Sequence, residues 1–202
     1  MSPLVLVTLW NYRKELKIVL TTFLIILLLP LVAVIILTQT GINLISNKLV
    51  EQNIYNNSIN ILDPKTGETV ATIDKPTIWP TTGRVTLEFG KPHLPYQLLH
   101  TGIDLANIKG TDITPFMEGT VTYAAETKIG FGKHIIIDHG NNLTSIYAHL
   151  DKILVYKGQK VTVDQVIGKM GSTGWSTGPH LHFQINVYGI PVNPRMFVIN
   201  IE

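Results

Sequence analysis

The chain has 202 residues, enough for one ordinary domain with attachments. Charged residues make up only 15% of it and hydrophobic ones 45%, against roughly 25% charged in a typical soluble domain. A formal net charge of +2 is too small to argue for nucleic acid as a partner, and without cysteine neither a disulfide framework nor a thiolate metal site can be built. Any metal must then be held by His, Asp or Glu, so the seven histidines are the residues to account for.

From Ile18 to Thr38 the chain carries no charged residue. At about 1.5 Å per residue such a run crosses the roughly 30 Å hydrocarbon layer as one helix. Pro30 is tolerated there more readily than in a soluble helix. Arg13, Lys14 and Lys17 precede the run, and the next positive charge is Lys48. That asymmetry makes residues 1–17 a short cytoplasmic tail and puts everything after Thr38 outside the membrane. Trp10 and Tyr12 fall where an interfacial aromatic belt is expected. A cleaved signal peptide would have a shorter apolar core, of about 7–15 residues, and a small-x-small cleavage site, which Gln39-Thr40-Gly41-Ile42 matches poorly. A buried core helix would be shorter or carry a polar stripe.

Residues 39–75 read as a polar linker or stalk. Within it, Ile59-Asn60-Ile61-Leu62 and Thr69-Val70-Ala71-Thr72-Ile73 flank Asp63-Pro64-Lys65-Thr66-Gly67, a strand, turn, strand pattern. An isolated hairpin is marginal, so it either leans on the domain or forms a short stalk.

Residues 76–202 form the folded domain. Short β-type runs punctuated by glycine follow one another: 83–89, 120–124, 134–138, 143–147, 160–163, 165–167 and 181–187. Gly140-Asn141-Asn142 is a hairpin signal between the third and fourth. Regular strand and turn spacing without a long helical period predicts an all-β domain.

His180-Leu181-His182 sits on the last of these runs. Alternate side chains share a face of a strand, so the two histidines point the same way about 6.6 Å apart while Leu181 faces the core. That suits one metal ligand with a histidine working beside it, and it also suits two ligands. His100-Thr101-Gly102-Ile103-Asp104 is weaker by itself. On a straight strand its two polar side chains would stand roughly 13 Å apart, so a bend at Gly102 is needed to bring them together. His149 ends the run at 143–147. Two imidazoles and a carboxylate suit Zn²⁺ and leave a fourth tetrahedral position for water, whose pKa falls to about 7. Two further histidines beside that water can take its proton and stabilise an oxyanion.

Taken in order, the motifs resemble the lysostaphin-like, LytM-type peptidoglycan metalloendopeptidases. They are Gly83-Arg84-Val85, Phe89-Gly90, His100-x-Gly102-Ile103-Asp104, Gly110-Thr111, Gly119-Thr120-Val121, Ile137-Asp138-His139-Gly140, Tyr147-x-His149-Leu150 and the block from Gly171 to Phe183. The match runs from about Ile78 to Phe197, and its final block is the most specific part. The resemblance implies a β-sheet groove of the duplicated-hybrid-motif kind, with zinc on its floor and loops at its sides. It also implies that His100, Asp104 and His182 ligate the zinc and that His149 and His180 are catalytic. The implied substrate is a peptide stem or cross-bridge of peptidoglycan, and the implied location is the outer side of a bacterial cytoplasmic membrane.

Three positions depart from the family pattern: Gln184 where Glu is common, Pro115-Phe116, and Lys91-Pro92-His93. None removes an implied ligand, so they bear on substrate preference more than on activity. His93 and His134 read as ordinary surface residues and His139 as structural. Trp175 reads as loop packing in preference to a groove lining. Two other functions compete with the peptidase. One is a catalytically silent scaffold or activator of another wall hydrolase, although such members usually lack a ligand and this chain lacks none. The other is a wall-cutting component of an envelope-spanning secretion or conjugation machine, with a partner the sequence does not name.

Overall fold

The computed structural model describes residues 3–53, 55, 57–74, 77–92 and 98–198, with side chains from Tyr12 onward. The Trp10 side chain, His93 and the boundary at residues 75–76, each singled out above, lie outside these. The chain divides into two compact units, one up to Thr38 and one from Gln39 on.

The described residues of the first unit are all helical. Helix α1 (Pro3–Leu49) runs through Pro30 and beyond the unit boundary. Its apolar side chains from Leu16 to Leu37 are exposed, apart from half-buried Ile35, and it is long and apolar enough to cross a membrane by length and composition. Thr38 turns its hydroxyl back onto the carbonyls of Val34 (2.7 Å) and Ile35 (3.0 Å), satisfying inside the helix a donor that hydrocarbon would leave unmet.

The second unit begins with the end of α1, so residues 39–49 are helix where a polar linker was expected. Strands β1 (Val50–Asn53), β2 (Ser58–Leu62) and β3 (Thr69–Asp74) then form an antiparallel sheet in that order. The expected hairpin is β2–β3, and β1 is an additional strand beside it. Leu49, Val50, Ile59 and Ile61 are buried in the same hydrophobic cluster as the strands that follow, so the hairpin leans on the domain.

The domain continues with β4 (Arg84–Leu87), β5 (Ile103–Ala106), β6 (Asp112–Ile113), β7 (Gly119–Glu126), β8 (Lys133–Asp138) and β9 (Leu143–Ala148). After these come β10 (Leu150–Ile153), β11 (Lys160–Val161), β12 (Gly168–Met170), β13 (His180–Val187), β14 (Ile190–Val192) and a 3-10 turn at Pro194–Met196. The main antiparallel sheet has the order β11-β7-β8-β9-β13-β5-β4, with β14 also pairing β13, and β10-β12-β6 form a smaller sheet. Residues 165–167 are not a strand. Gln165 closes a turn onto the Thr162 carbonyl, and β12 starts at Gly168. The predicted turn at Gly140-Asn141-Asn142 is present, with φ of 79°, 49° and 59°.

Strand β13 reads HLHFQINV and is buried along its whole length. Its odd faces differ: Leu181, Phe183, Ile185 and Val187 enter the hydrophobic cluster, while His180, His182, Gln184 and Asn186 share the opposite face. Phe183 packs 5.5 Å from Tyr147 and 5.6 Å from Phe116, ring centre to ring centre. Phe116, one of the departures noted above, is thus a fully buried core residue.

Two histidines serve this framework. His139 donates from Nδ1 to the Glu118 carbonyl (2.7 Å), and its Nε2 meets Ser145 Oγ (2.7 Å), which meets the Tyr147 hydroxyl (3.0 Å). His134 is buried, contrary to its reading as a surface residue. It stacks on Tyr123 with ring centres 4.5 Å apart and donates from Nδ1 to the Gly132 carbonyl at 2.9 Å.

Two outcomes follow from this packing. Ile59→Ala should cost about 3 kcal/mol in urea denaturation, the usual loss for a core truncation, whereas a free stalk would register almost nothing. Burial lowers the pKa of His139 to about 4, partly offset by the Glu118 carbonyl. Between that value and the ordinary 6.5, the unfolded chain binds a proton that the folded one does not, so this contribution falls as pH drops through the window. The stability gap between the parent and His139→Gln should narrow from pH 7 to pH 4, measured with chelator present; a constant gap would contradict it.

Candidate active site

The register of β13 assembles the polar residues. His182 lies directly opposite Asp104 of β5 on one side and Ala148 of β9 on the other. Asp104 and His182 therefore meet across a ladder rung, and His149 follows one residue beyond the second partner. His180 is the next residue along the same face of β13. His100 precedes β5 and is held by two backbone bonds, Gly90 N–H to its carbonyl and its own N–H to the Lys91 carbonyl, each 2.8 Å.

Gly102 lies at the expected bend that brings His100 and Asp104 together, and a steric reason adds to it. A Cβ there would lie 2.4 Å from the Phe183 carbonyl oxygen and 2.9 Å from the His182 ring. Only a residue without a side chain lets this segment pass so close under the imidazole. His149 adopts a left-handed backbone, φ 62°, which is strained for a side-chain-bearing residue. It is held by its N–H to the Phe131 carbonyl (2.9 Å) and by the neighbouring glycine loops. Gly132 and Gly174 interlock there so tightly that a Cβ on Gly174 would meet the Gly130 carbonyl at 2.3 Å.

All five residues are buried, with exposures from 1% to 9%. His100 Nε2 lies 2.9 Å from Asp104 Oδ1 and 2.9 Å from His182 Nδ1, and His182 Nδ1 is 3.0 Å from the same oxygen. His180 Nε2 is 3.7 Å from Asp104 Oδ2, and the rings of His149 and His180 are 4.7 Å apart.

The opposite nitrogen of each ring defines its tautomer. Nδ1–H of His100 donates to the Glu88 carbonyl (3.2 Å), that of His149 to the Thr173 carbonyl (2.8 Å), and that of His180 to the Gly178 carbonyl (2.8 Å). Nε2 of His182 faces Gln184 Oε1 at 3.4 Å. Every ring thus turns an N–H toward a protein oxygen and a bare nitrogen toward the centre. His180 Nε2 is buried without a hydrogen-bond partner.

Two nitrogen lone pairs and a carboxylate pressed this close, away from water, repel one another unless a cation or shared protons lie between them. Burial works against protons, lowering the pKa of His182 against the opposing pull of Asp104. For Asp104, burial raises the carboxyl pKa, but with no ion between them shared protons on His100 and His182 donate hydrogen bonds that outweigh it and hold the group well below the usual range. His149 is lowered to about 4, mainly by burial and then by His180, against the Thr173 carbonyl. The donor set of two imidazoles and a carboxylate fits a divalent ion such as Zn²⁺. A tetrahedral shell at about 2.0–2.1 Å spaces its ligand atoms by roughly 3.3 Å, a few tenths more than here.

A groove of roughly 400 Å³ reaches this centre, lined by Thr86, Leu87, Asp104, Ala106, His180 and the loop from Trp175 to Pro179. Trp175 is 44% exposed and forms one wall, so it lines the groove where loop packing was expected. A larger cavity of roughly 610 Å³, beside Trp79 and Pro80, contains none of the five residues. Chemistry, and not size, locates the site.

Sequence reading missed the supporting oxygens. Main-chain carbonyls of Glu88, Thr173 and Gly178 carry no side-chain signal. Gln184 does carry one, but its oxygen accepts from Thr101 Oγ1 (2.7 Å) and its amide donates to Asn186 Oδ1 (2.7 Å), so it backs His182 and does not face the groove.

A β-sheet floor bearing this donor set, with two more imidazoles beside it, has the make-up of a metal-centred hydrolase. Residues 98–194 match the sequence profile of Peptidase family M23. The catalytic domain of the prophage-encoded M23 protein EnpA from Enterococcus faecalis, solved as a mutant, is 38% identical, with 55% of this chain and 87% of that one covered and a TM-score of 0.51. A zinc containing peptidase from Vibrio cholerae is 28% identical, with 72% and 47% covered and a TM-score of 0.57. This chain belongs to peptidase family M23. Among curated relatives, the DD-carboxypeptidase/endopeptidase Mpg of Neisseria meningitidis is 41% identical over 114 residues, 55% of this chain and 26% of that protein. The murein hydrolase activator NlpD of Escherichia coli is 41% identical over 120 residues, 59% of this chain and 30% of that protein. The chain therefore spans less than a third of the length of these two relatives.

The close approach at Gly102 generates one expectation. Gly102→Ala should destabilise the metal-free protein by about 1–3 kcal/mol, because backbone has to yield. Chemical denaturation in chelator reads this out, and a stability equal to the parent would show that the segment is loosely held.

Proposed function

We propose that the chain is a membrane-anchored zinc endopeptidase that cuts peptide bonds in peptidoglycan, in the stem peptide or the cross-bridge. The observation that carries this reading is the common orientation of four imidazoles, each donating outward and presenting a bare nitrogen around Asp104. His100, Asp104 and His182 would hold the ion. Zinc bound there supplies Lewis acidity and makes water reactive at neutral pH.

His149 and His180 handle the protons. His149, kept neutral by burial, accepts at Nε2 the proton of the attacking water and returns it to the departing amine. His180, once protonated at its partnerless Nε2, donates to the substrate carbonyl oxygen as charge grows on it. The groove walls beside Trp175 take an extended peptide, and the likeness to the murein hydrolase activator NlpD supports the cell wall as its source. Helix α1 anchors the domain, with the N-terminus inside and the groove outside the cytoplasmic membrane, a reading supported by the basic residues that precede its apolar run.

A second reading, an activator of another wall hydrolase, is favoured by the likeness to NlpD. The complete donor set argues for the enzyme. The two separate in one experiment on the detergent-solubilised full chain with isolated peptidoglycan. The enzyme should carry about one zinc and release new amino groups in a chelator-sensitive way. His182→Ala and Asp104→Ala should lose both zinc and cleavage, whereas His149→Ala should keep zinc and lose at least about 100-fold in rate. Cleavage by the zinc-stripped protein would end the zinc reading. Wall binding unaffected by chelator, with no cleavage on several wall types, would favour the activator.

A further inference from the structure

The last turns of α1 touch the segment that presents His100. Ile42 and Asn43 lie over Gly90, where a Cβ would meet them at 3.9 and 3.7 Å. Gly90 is the residue whose N–H holds the His100 carbonyl. A second route is longer and is made of hydrogen bonds. Ser46, 1% exposed, accepts the Asn193 N–H at 3.0 Å, and Gln52 of β1 donates to the Met196 carbonyl at 2.8 Å. Asn193 caps the 3-10 turn by accepting the Arg195 N–H at 3.1 Å. The Arg195 guanidinium then grips the Glu88 carboxylate with two bonds of 3.1 and 2.7 Å, 5.4 Å from the Trp79 ring. Glu88 is the residue whose main-chain carbonyl accepts the His100 Nδ1–H.

We propose that the membrane-proximal end of α1 is part of the metal site: Ser46 and Arg195 are positioning residues that hold the Glu88 carbonyl against His100. They thereby keep Nε2 of that ligand bare and aimed at Asp104. This rests on the reading of His100, Asp104 and His182 as metal ligands. Magnitudes separate it from an ordinary stabilising contact. The Arg195–Glu88 side chains are 36% and 41% exposed, and such a pair adds little to folding. Orienting a metal-ligating imidazole is different, because losing a partner of that kind typically costs 10–100-fold in metal affinity. The anchor helix is then more than a tether, since its last turns order one ligand of the site.

The test uses the full chain in detergent, measuring the zinc dissociation constant by chelator competition and the visible spectrum of the cobalt form. Arg195→Met should weaken zinc binding about tenfold and shift the cobalt bands, while melting of the metal-free protein stays as in the parent. Ser46→Ala should act in the same direction by a smaller factor. Arg195→Lys should recover part of the loss, and adding Glu88→Ala to Arg195→Met should cost nothing further, because both break one link. Parental zinc affinity and cobalt spectrum in Arg195→Met would overturn the proposal while leaving the metal reading intact. If Arg195→Met does not fold, Glu88→Gln, at an exposed side chain, decides by the same readouts. A parent chain that binds no zinc would overturn the metal reading and this proposal with it.

Discussion

Antiparallel pairing of β13 with β5 on one side and β9 on the other is the constraint on which the rest of the site depends. It puts His182 opposite Asp104 and opposite Ala148, next to His149, so that polar residues from β13, β5 and the end of β9 are brought together. A slip of one residue would turn His180 and His182 into the core and Leu181 and Phe183 into the groove. The register is pinned from the other face, where Leu181, Phe183 and Ile185 are fully buried and Phe183 packs against Tyr147 and Phe116. Packing and chemistry are therefore two sides of the same strand, and neither can shift alone.

The second layer of organisation is made of oxygens. Carbonyls of Glu88, Thr173 and Gly178, with the Gln184 side chain, fix the tautomers of four histidines. Main-chain acceptors are neutral and rigid, so they orient an imidazole without adding charge that would compete with Asp104 for a cation. The cost is local strain, concentrated at His149, whose left-handed backbone is held by the interlocked loops at Gly132 and Gly174. Burial then keeps His149 neutral well below neutral pH.

The residues matched by the family profile, 98–194, contain β5, β9 and β13, while β4 and everything before it lie outside. The end of α1 and the sheet β1-β2-β3 add Leu49, Val50, Ile59 and Ile61 to the domain's core. This chain thus joins its family's peptidase domain to the helix by a packed extension that shares that core.

Much was legible from the residues alone. The 21-residue apolar run reads as a helix because length and lack of charge are local properties, and β8, β9 and β13 read as strands because alternation and turn chemistry are local too. The five polar residues stood out through motifs whose order a sequence preserves. Other features were decided only in three dimensions. His134 looked exposed at a strand start, but its burial depends on Tyr123 from the neighbouring strand. Trp175 lines the groove because its backbone is tied to Gly130, 45 positions away, which sends the ring outward. Gln184 read as a departure bearing on substrate preference, but the pleat puts it on the same face as His182, where its oxygen meets that ring. The sequence by itself determined which side chains are available and the periods that select helix and strand. Tertiary structure decided which atoms meet, because register, burial and the carbonyls that set a tautomer all come from segments that touch only after folding.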